Sequence, residues 1–245
     1  MNPESFERLR ALNYEFYQTF AERFADKRTR LQPGVIQALE QYPPPGPALD
    51  LGCGHGALAE QFVSVGHPHT YLGVDLSEGM ISLASSAVSN PRVHFLRADV
   101  TQRAWREALQ TIPKGFQPPY ATVYAFSSLH HIPGEKRREQ LVQEVSQLMQ
   151  PGALWILSVW DFMQSNRLRK RILPWESVGV DPHQVEEGDY VIDWRHGGDG
   201  VRYVHLFSPE ALEKLAEHGG FEVMETYRMD GENSVLGLYQ VWRKP

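Results

Sequence analysis

The segment ALDLGCGHGAL, residues 48–58, decides the fold, because an apolar strand there leads into a glycine turn and then into a helix. Gly52, Gly54 and Gly56 keep the backbone free of side chains where a ligand must approach it. The first turn of the helix directs unpaired N–H groups at the same space. The segment therefore predicts a binding site for a nucleotide-type cofactor.

The glycines alone fit two kinds of cofactor. Gly52, Gly54 and Ala57 also match the G-x-G-x-x-G/A pattern of dinucleotide sites, and that pattern by itself is weak evidence. Asp50 lies two residues before Gly52. S-adenosylmethionine has a sulfonium group and no pyrophosphate, so it tolerates an acidic residue at this position, and Asp50 can face its ammonium group.

Two further aspartates end the next two predicted strands, TYLGVD at Asp75 and VHFLRAD at Asp99. A carboxylate after the second strand can accept hydrogen bonds from both ribose hydroxyls, and one after the third can accept from the adenine amino group. A lone aspartate would more simply cap a helix or a turn. Three aspartates at successive strand ends favour S-adenosylmethionine.

Composition limits the class of protein. The chain has 245 residues, 42% of them hydrophobic, which suits one large domain. The N-terminus is charged, and no run approaches the roughly 18 apolar residues of a membrane span. We therefore expect a cytoplasmic protein without membrane contact. Cys53 is the only cysteine, so we expect no disulfide and no metal site, and we interpret Cys53 as a small filler rather than a nucleophile.

The net charge of −6 argues against broad, non-specific attraction to nucleic acid. A local basic surface remains compatible with it. The first interpretation of each basic cluster is a solvated helix face. The clusters are Lys27, Arg28 and Arg30, then Lys136 to Arg138, then Arg167, Arg169, Lys170 and Arg171.

Strands and helices alternate along the middle of the chain. The predicted strands are 47–51, 70–75, 93–98, 120–126 and 153–160, and the helices between them are 57–65, 78–88, 102–110 and 135–149. A helix at 208–218 and a hairpin of strands 221–228 and 234–242 follow, with the last strand antiparallel. This rhythm predicts an α/β fold with a Rossmann-like, doubly wound, seven-stranded sheet, mostly parallel, with helices on both faces and ligands at the carboxyl ends of the strands.

We predict a single domain, residues 1–245, with two additions. Residues 1–42 form a helical cap with helices at 6–24 and 33–41. Its phenylalanines are expected in the core, whereas Tyr14, Tyr17 and Arg28 either join the core or line the cofactor and substrate mouth. Residues 162–206 break the alternation with charged and glycine-rich sequence, and they are interpreted as an insertion or lid over the site.

The loop AFSSLHHIP, residues 125–133, follows the strand next to the cofactor strand, so it should face both cofactor and acceptor. His130 and His131 could act as base, ligand or structural hydrogen-bonding groups. No cysteine or acidic partner follows them at metal-ligand spacing. A structural role is favoured over catalysis for both.

Four segments occur in the order that is typical of one enzyme group. They are FADKRTRLQP, HHIPGEKRREQLVQEVSQLMQPGALWILSVW, EEGDYVIDWR and RYVHLFSPEALEKLAEHGGFEV. From about Tyr14 to the C-terminus the chain resembles the class I S-adenosylmethionine-dependent methyltransferases, and most closely the tRNA wobble-uridine carboxymethyl methyltransferases. Two departures from that group are Asp193, where proline is usual, and the last strand, which lacks an Asn-Trp pair.

The resemblance implies a cofactor, an acceptor and site residues. The cofactor is S-adenosylmethionine, the acceptor is a carboxymethyl group on tRNA, and a small activator protein is an expected partner. The implied cofactor-binding residues are Tyr14, Arg28, Asp50, Gly52, Cys53, Gly54, Asp75, Leu76, Met80, Asp99, Val100, Phe126 and Ser127. The implied catalytic residues are Arg28, Arg202, Tyr203, His205 and His131.

A carboxylate acceptor would need no general base, since it is already ionised at pH 7. The enzyme must then place its oxygen in line with the methyl group and exclude water. Arginine suits this task because its planar fork matches a carboxylate. For Tyr203 and His205, simple packing of alternating strand residues is an equal alternative.

Two other functions stay open from the sequence. The chain could methylate an oxygen or nitrogen of a small molecule, or it could be a partner subunit that has kept the fold and lost the chemistry. The intact glycines and the three strand-end aspartates favour an enzyme.

Overall fold

A seven-stranded sheet forms the centre of the computed structural model, which describes residues 1–26, 30–195 and 199–245. The strands in chain order are β1 (Ala48–Leu51), β2 (Tyr71–Asp75), β3 (Val93–Arg97), β4 (Tyr120–Phe126), β5 (Met149–Trp160), β6 (Ile172–Leu173), β7 (Asp189–Trp194), β8 (Gly200–His205), β9 (Glu222–Met229) and β10 (Gly237–Arg243). The helices are α1 (Pro3–Thr19), α2 (Ala21–Asp26), α3 (Pro33–Gln41), α4 (Ala57–Ser64), α5 (Glu78–Ala87), α6 (Trp105–Ala108), α7 (Glu135–Leu148), α8 (Asn166–Arg169) and α9 (Pro209–His218).

The order of strands in the main sheet is β3-β2-β1-β4-β5-β10-β9. Strands β1 to β5 pair in parallel, and β10 is antiparallel to both of its neighbours, β5 and β9. The doubly wound sheet with an antiparallel last strand is therefore confirmed, including the predicted C-terminal hairpin.

Helices cover both faces of this sheet, as predicted. Trp155 and Ile156 are neighbours in β5 and belong to different buried clusters, because successive strand residues point to opposite faces. The Trp155 side is covered by α7 and α9, which contribute Leu141 and Leu212. The Ile156 side is covered by α3 and α4, which contribute residues such as Phe62.

Two predicted helices differ from the structure. The helix expected at 102–110 is reduced to the single turn α6. The backbone there makes tight turns that bond three residues apart, as Trp105 N–H does to the Gln102 carbonyl and Leu109 N–H to the Arg106 carbonyl, each at 3.2 Å. The helix expected at 6–24 is divided into α1 and α2 at Phe20, where the backbone leaves the helical conformation.

The segment 162–206 contains a second, antiparallel sheet in the order β6-β7-β8. On one side Val191 and Tyr203 pack with Leu9 and Leu12 of α1. On the other side Val204 clusters with Phe162, which follows the end of β5, and with other buried residues of the segment. The small sheet is thus placed between α1 and the carboxyl end of the main sheet. Its action as a lid stays a prediction.

Candidate active site

A cavity of about 370 Å³ opens at the carboxyl ends of the parallel strands. Residues from the turns after β1, β2, β3 and β4 line it, together with residues of α1, α3, β8 and the β9–β10 hairpin. Doubly wound sheets bind ligands at this edge, and small-molecule sites commonly have volumes of several hundred Å³. The cavity is therefore the candidate active site.

Most of the predicted cofactor-binding residues line this one cavity. They are Asp50, Gly52, Cys53, Gly54, Asp75, Leu76, Met80, Asp99, Val100, Phe126 and Ser127. Tyr14 is half-buried on α1 and is not part of the lining, whereas Tyr17, one helical turn later, is. Arg28 lies outside the described residues. The roles of all these residues in cofactor binding stay predictions.

The glycine turn leaves room for a ligand. Gly54 has φ +55°, and a Cβ built on it would meet no atom within 4 Å, so its open side faces unfilled space. At Gly52, with φ +80°, a Cβ would come within 2.5 Å of the Ser128 Cβ. The first glycine thus allows close packing of two loops and the second leaves the backbone accessible, which fits S-adenosylmethionine.

Asp75 fastens the end of β2 to the glycine turn. Its carboxylate accepts from the Gly54 N–H and from the Ser77 N–H, each at 2.9 Å. Burial raises the pKa of Asp75, and the backbone N–H groups act in the opposite direction. Because it also lines the cavity, Asp75 can serve both as a strand-end cap and as an acceptor for ligand hydroxyls.

Asp50 is a buried carboxyl group at the floor of the cavity, only 4% exposed. The Tyr71 hydroxyl donates to it at 2.5 Å. Burial raises the pKa of Asp50 to about 7, the hydrogen bond from Tyr71 opposes this shift, and the charge of Asp75 adds to it. A cationic ligand group beside Asp50 would stabilise the ionised form, so this carboxylate suits an ammonium group.

Asp99 is bound by the N-terminal helix. One oxygen accepts from the Thr101 hydroxyl at 2.5 Å, and the other accepts from the Arg10 guanidinium at 2.9 Å. Arg10 was not among the predicted site residues. It lies with Asn13 and Tyr17 on one stripe of α1, and all three line the cavity. Their spacing of three and four residues was the available indication, because such positions share a helix face.

Cys53 packs against the neighbouring strand. A Cβ at Gly73 of β2 would lie 2.9 Å from the Cys53 sulfur, so the thiol fills the space that this glycine leaves. Burial raises the pKa of the Cys53 thiol well above its usual value. This environment supports the role of filler.

Arg202 is a buried cation in the lining of the cavity. It is 5% exposed, and its guanidinium lies over the rings of Phe16, Trp160 and Trp194, at 5.2, 4.6 and 5.4 Å from their centroids. Its buried Nε has no hydrogen-bond partner, and no ion pair involves it within the described part of the chain. Aromatic rings stabilise a cation without neutralising it. Arg202 can therefore accept an anionic ligand group.

Tyr203 and His205 are placed elsewhere. The Tyr203 hydroxyl donates to Asp189 at 2.6 Å, and His205 Nδ1 lies 2.7 Å from the same oxygen. Neither residue lines the cavity. Burial raises the pKa of Tyr203 and lowers that of His205. Their catalytic assignment stays untested, but this placement supports the packing alternative.

The same region brings Glu186, Asp189 and His205 within 4.8 Å of one another. Each of the three already has a partner in the protein. The Arg138 guanidinium donates to the Glu186 carboxylate at 3.0 Å, the Glu186 N–H donates to Asp189 at 2.8 Å, and His205 contacts Asp189. These hydrogen bonds tie β7 and β8 to α7. The expectation of a metal-free protein stays a prediction.

The histidines of the loop after β4 contact the backbone. His130 Nδ1 accepts from the Trp160 N–H at 3.3 Å, which joins the loop to β5. His131 Nδ1 donates to the Tyr203 carbonyl at 2.9 Å. In a neutral ring Nε2 is then the acceptor, and the Tyr17 hydroxyl donates to it at 2.6 Å. Both contacts are consistent with the favoured structural role.

Comparison with known proteins agrees with the geometry. A family model described as a methyltransferase domain matches residues 18–226. The tRNA (carboxymethyluridine(34)-5-O)-methyltransferase of Schizosaccharomyces pombe is 24% identical over 232 residues, covering 86% of this chain and 89% of that protein. The Arabidopsis thaliana protein of the same name is 24% identical over 147 residues, covering 60% of this chain and 32% of that protein. The chain thus spans about a third of that relative's length.

Solved structures share the fold. The complex between the Haloferax volcanii Trm112 methyltransferase activator and a methyltransferase contains a chain that matches with a TM-score of 0.65 at 14% identity, over 95% of this chain and 97% of that one. Among the described residues no helix is long and apolar enough to cross a bilayer.

Proposed function

Since the chain belongs to the methyltransferase-domain family, with S-adenosylmethionine as its cofactor, we propose that it transfers a methyl group to a carboxylate oxygen. We further propose that the acceptor is a carboxymethyl group on the wobble uridine of a tRNA. The observation that carries the carboxylate proposal is Arg202, a buried guanidinium that has no carboxylate partner among the described residues and lines the same cavity as Asp50 and Gly54.

Bound S-adenosylmethionine supplies a methyl group on a positively charged sulfur. Asp50, Asp75 and Asp99 offer acceptors for its ammonium, ribose and adenine groups. Arg202 orients the acceptor carboxylate with two parallel hydrogen bonds and so directs one oxygen at the methyl carbon. No side chain has to remove a proton, because the acceptor is already ionised at neutral pH.

The charge of Arg202 acts mainly on binding. The oxygen–methyl bond forms as the sulfur–methyl bond breaks, which would leave a neutral methyl ester and neutral S-adenosylhomocysteine. The carboxylate thus loses its negative charge during transfer, so the guanidinium stabilises the reactant more than the transition state. It should therefore lower KM rather than raise kcat. The methyl ester product is neutral, and its weaker attraction to Arg202 favours its release.

A tRNA acceptor is supported by the relatives' names and by one surface. Arg167, Arg169 and Lys170 of the α8 region are exposed, and none forms an ion pair within the described residues. The small sheet joins this region to the cavity, since Ile172 pairs with Ile192 and Ile192 pairs with Arg202. Ile172 and Arg202 are thus two strand spacings apart, which is roughly 10 Å. A cytoplasmic location and a small activator protein as partner belong to the same proposal.

The test is a transfer assay with labelled S-adenosylmethionine and three anticodon stem-loops that differ only at the wobble base. The bases are carboxymethyluridine, carbamoylmethyluridine, which is the uncharged amide analogue, and uridine. We expect label only on the first, and the label should be released as methanol at alkaline pH, because it is an ester. Label that resists alkali would contradict carboxylate methylation.

Two controls separate the alternatives. A panel of small carboxylic acids is offered in the same assay, and label on an acid but on no stem-loop would identify a small-molecule methyltransferase. Calorimetry with S-adenosylhomocysteine tests the cofactor site directly. A chain that binds no S-adenosylhomocysteine would be a silent partner subunit.

A further inference from the structure

The outer edge of β8 is bonded to side chains rather than to another strand. Among the strands that the structure describes, β8 pairs with β7 alone, which leaves backbone groups on its other edge. At Tyr203 both groups are satisfied, because its N–H donates to Asn13 Oδ1 at 2.8 Å and its carbonyl accepts from His131 Nδ1 at 2.9 Å. Two distant segments thus complete the edge of this strand.

These contacts close into a cycle of hydrogen bonds, which we call the ring. Asn13 is 3% exposed, and its Nδ2 donates to the His131 carbonyl at 3.0 Å. Asn13, His131 and Tyr203 are therefore joined by three hydrogen bonds in a closed cycle. The cycle links α1, the loop after β4 and strand β8, and each of these lines the cavity.

The ring lies next to the residue that carries the acceptor proposal. Arg202 precedes Tyr203, and their side chains point to opposite faces of β8. No ion pair involves Arg202 within the described residues. The position of its guanidinium is therefore determined by the backbone of β8 and by the three aromatic side chains that it contacts. A backbone shift at Tyr203 would therefore move the guanidinium relative to the loop that faces the cofactor.

We propose that Asn13 is a positioning residue for the acceptor: by closing the ring with His131 and the Tyr203 backbone, it fixes Arg202 at its place in the cavity. This inference rests on the proposed function, since it assigns Arg202 to the acceptor carboxylate. Asn13 itself acts through Arg202. Displacement of a binding group by about 1 Å is enough to weaken a planar, two-point contact strongly.

The experiment is a double-mutant cycle of Asn13→Ala and Arg202→Ala, read as KM for the carboxymethyluridine stem-loop and as the dissociation constant of S-adenosylhomocysteine. We expect Asn13→Ala to raise KM roughly tenfold, since buried partners lose their hydrogen bonds. The dissociation constant should stay within about twofold, because none of Asn13, His131 and Tyr203 is among the predicted cofactor-binding residues. In the Arg202→Ala background the same substitution should change KM by less than about twofold.

Gln240→Ala is the matched control for lost stability. Gln240 is a fully buried amide in β10 that donates to Thr226 at 3.1 Å and accepts from Trp242 at 2.7 Å, away from the cavity. It should lower the Tm as Asn13→Ala does and leave KM unchanged. If Asn13→Ala does not fold, Asn13→Ser carries the test, because its shorter side chain withdraws the amide from Tyr203 and His131 without adding a charge to the cavity. Its KM should then exceed that of the wild type.

The outcomes distinguish the two proposals. If Arg202→Ala raises KM and Asn13→Ala does not, or if the two effects multiply, Asn13 only supports the fold and the inference is overturned. If Arg202→Ala leaves KM unchanged, the carboxylate proposal fails first, and the inference fails with it.

Discussion

Two groups of opposite charge line the cavity, and they are built differently. We call the part lined by Asp50, Asp75 and Asp99 the cofactor end, and the part lined by Arg202 the acceptor end. At the cofactor end, Asp50 and Asp75 lie within parallel strands and Asp99 follows the next one, so the aspartates are placed by regular strand ends. At the acceptor end, the Arg202 guanidinium lies among rings from distant segments. Because aromatic rings rather than carboxylates surround Arg202, its positive charge and the negative charges of the aspartates do not neutralise each other. Under the proposed function, this arrangement allows a cationic methyl donor and an anionic acceptor to bind in one cavity.

The largest expected effect concerns the cofactor end. Gly54→Val should abolish binding of S-adenosylhomocysteine in calorimetry, because the side chain would enter the open space that the cofactor needs. Gly66→Val is the control, since Gly66 also has a positive φ, +66°, has no atom within 4 Å of its built Cβ and lies outside the cavity. It carries similar backbone strain, about 1–2 kcal/mol. Loss of binding in both variants would show that strain alone is responsible.

The next effect concerns the acceptor end. Arg202→Lys keeps the charge but loses the planar fork and the stacking on three rings, so kcat/KM should fall roughly 10- to 100-fold, chiefly through KM. Arg243→Lys, at an exposed pair with Glu222, should change kcat/KM less than about twofold. A lysine variant as active as the wild type would mean that Arg202 is not a two-point carboxylate ligand.

Asp50 links the cofactor end to stability. Its folded pKa, about 7, is above its unfolded value of 3.8, so the folded protein binds the proton more tightly. Its contribution is fully present below about pH 4 and is lost as pH rises through 7. In urea denaturation without cofactor, Asp50→Asn should therefore be more stable than the wild type at pH 8, by up to about 4 kcal/mol. The two should converge near pH 4, and parallel pH curves would contradict the raised pKa.

The smallest expected effect is the pH dependence of the reaction itself. At saturating cofactor and acceptor, kcat should vary less than about twofold between pH 6 and 9, because free carboxylic acids titrate near pH 4. A hydroxyl or amine acceptor would need a base to remove its proton, so its rate should rise across that range. A rate that rises tenfold per pH unit would therefore contradict a carboxylate acceptor and indicate a hydroxyl or amine acceptor that is deprotonated by a base.

Local sequence patterns predicted the sheet and the cofactor end. The alternation of strands and helices, the glycine turn and the strand-end aspartates all lie within short stretches, and the structure places them together as expected. The α6 region differed because its backbone forms tight turns with bonds three residues apart, which the apolar spacing does not distinguish from a helix. The structure also explains why residue 193 is not the usual proline. The Asp193 N–H donates to the Arg171 carbonyl at 3.0 Å, and proline has no N–H for this hydrogen bond.

The sequence by itself determined the order of the elements, the parallel sheet and the bare backbone beside the cofactor site, because each depends on residues that are neighbours in the chain. Only the tertiary structure decided which side chains meet at the acceptor end. Asn13 and Tyr203 are 190 residues apart and are brought together at 2.8 Å. Strand alternation puts Arg202 and Tyr203 on opposite faces of β8. Only packing decides that the Arg202 face lines the cavity and that the Tyr203 hydroxyl meets Asp189. Hydrogen bonds between such distant segments depend on how α1 and the small sheet dock, and no local periodicity encodes that docking.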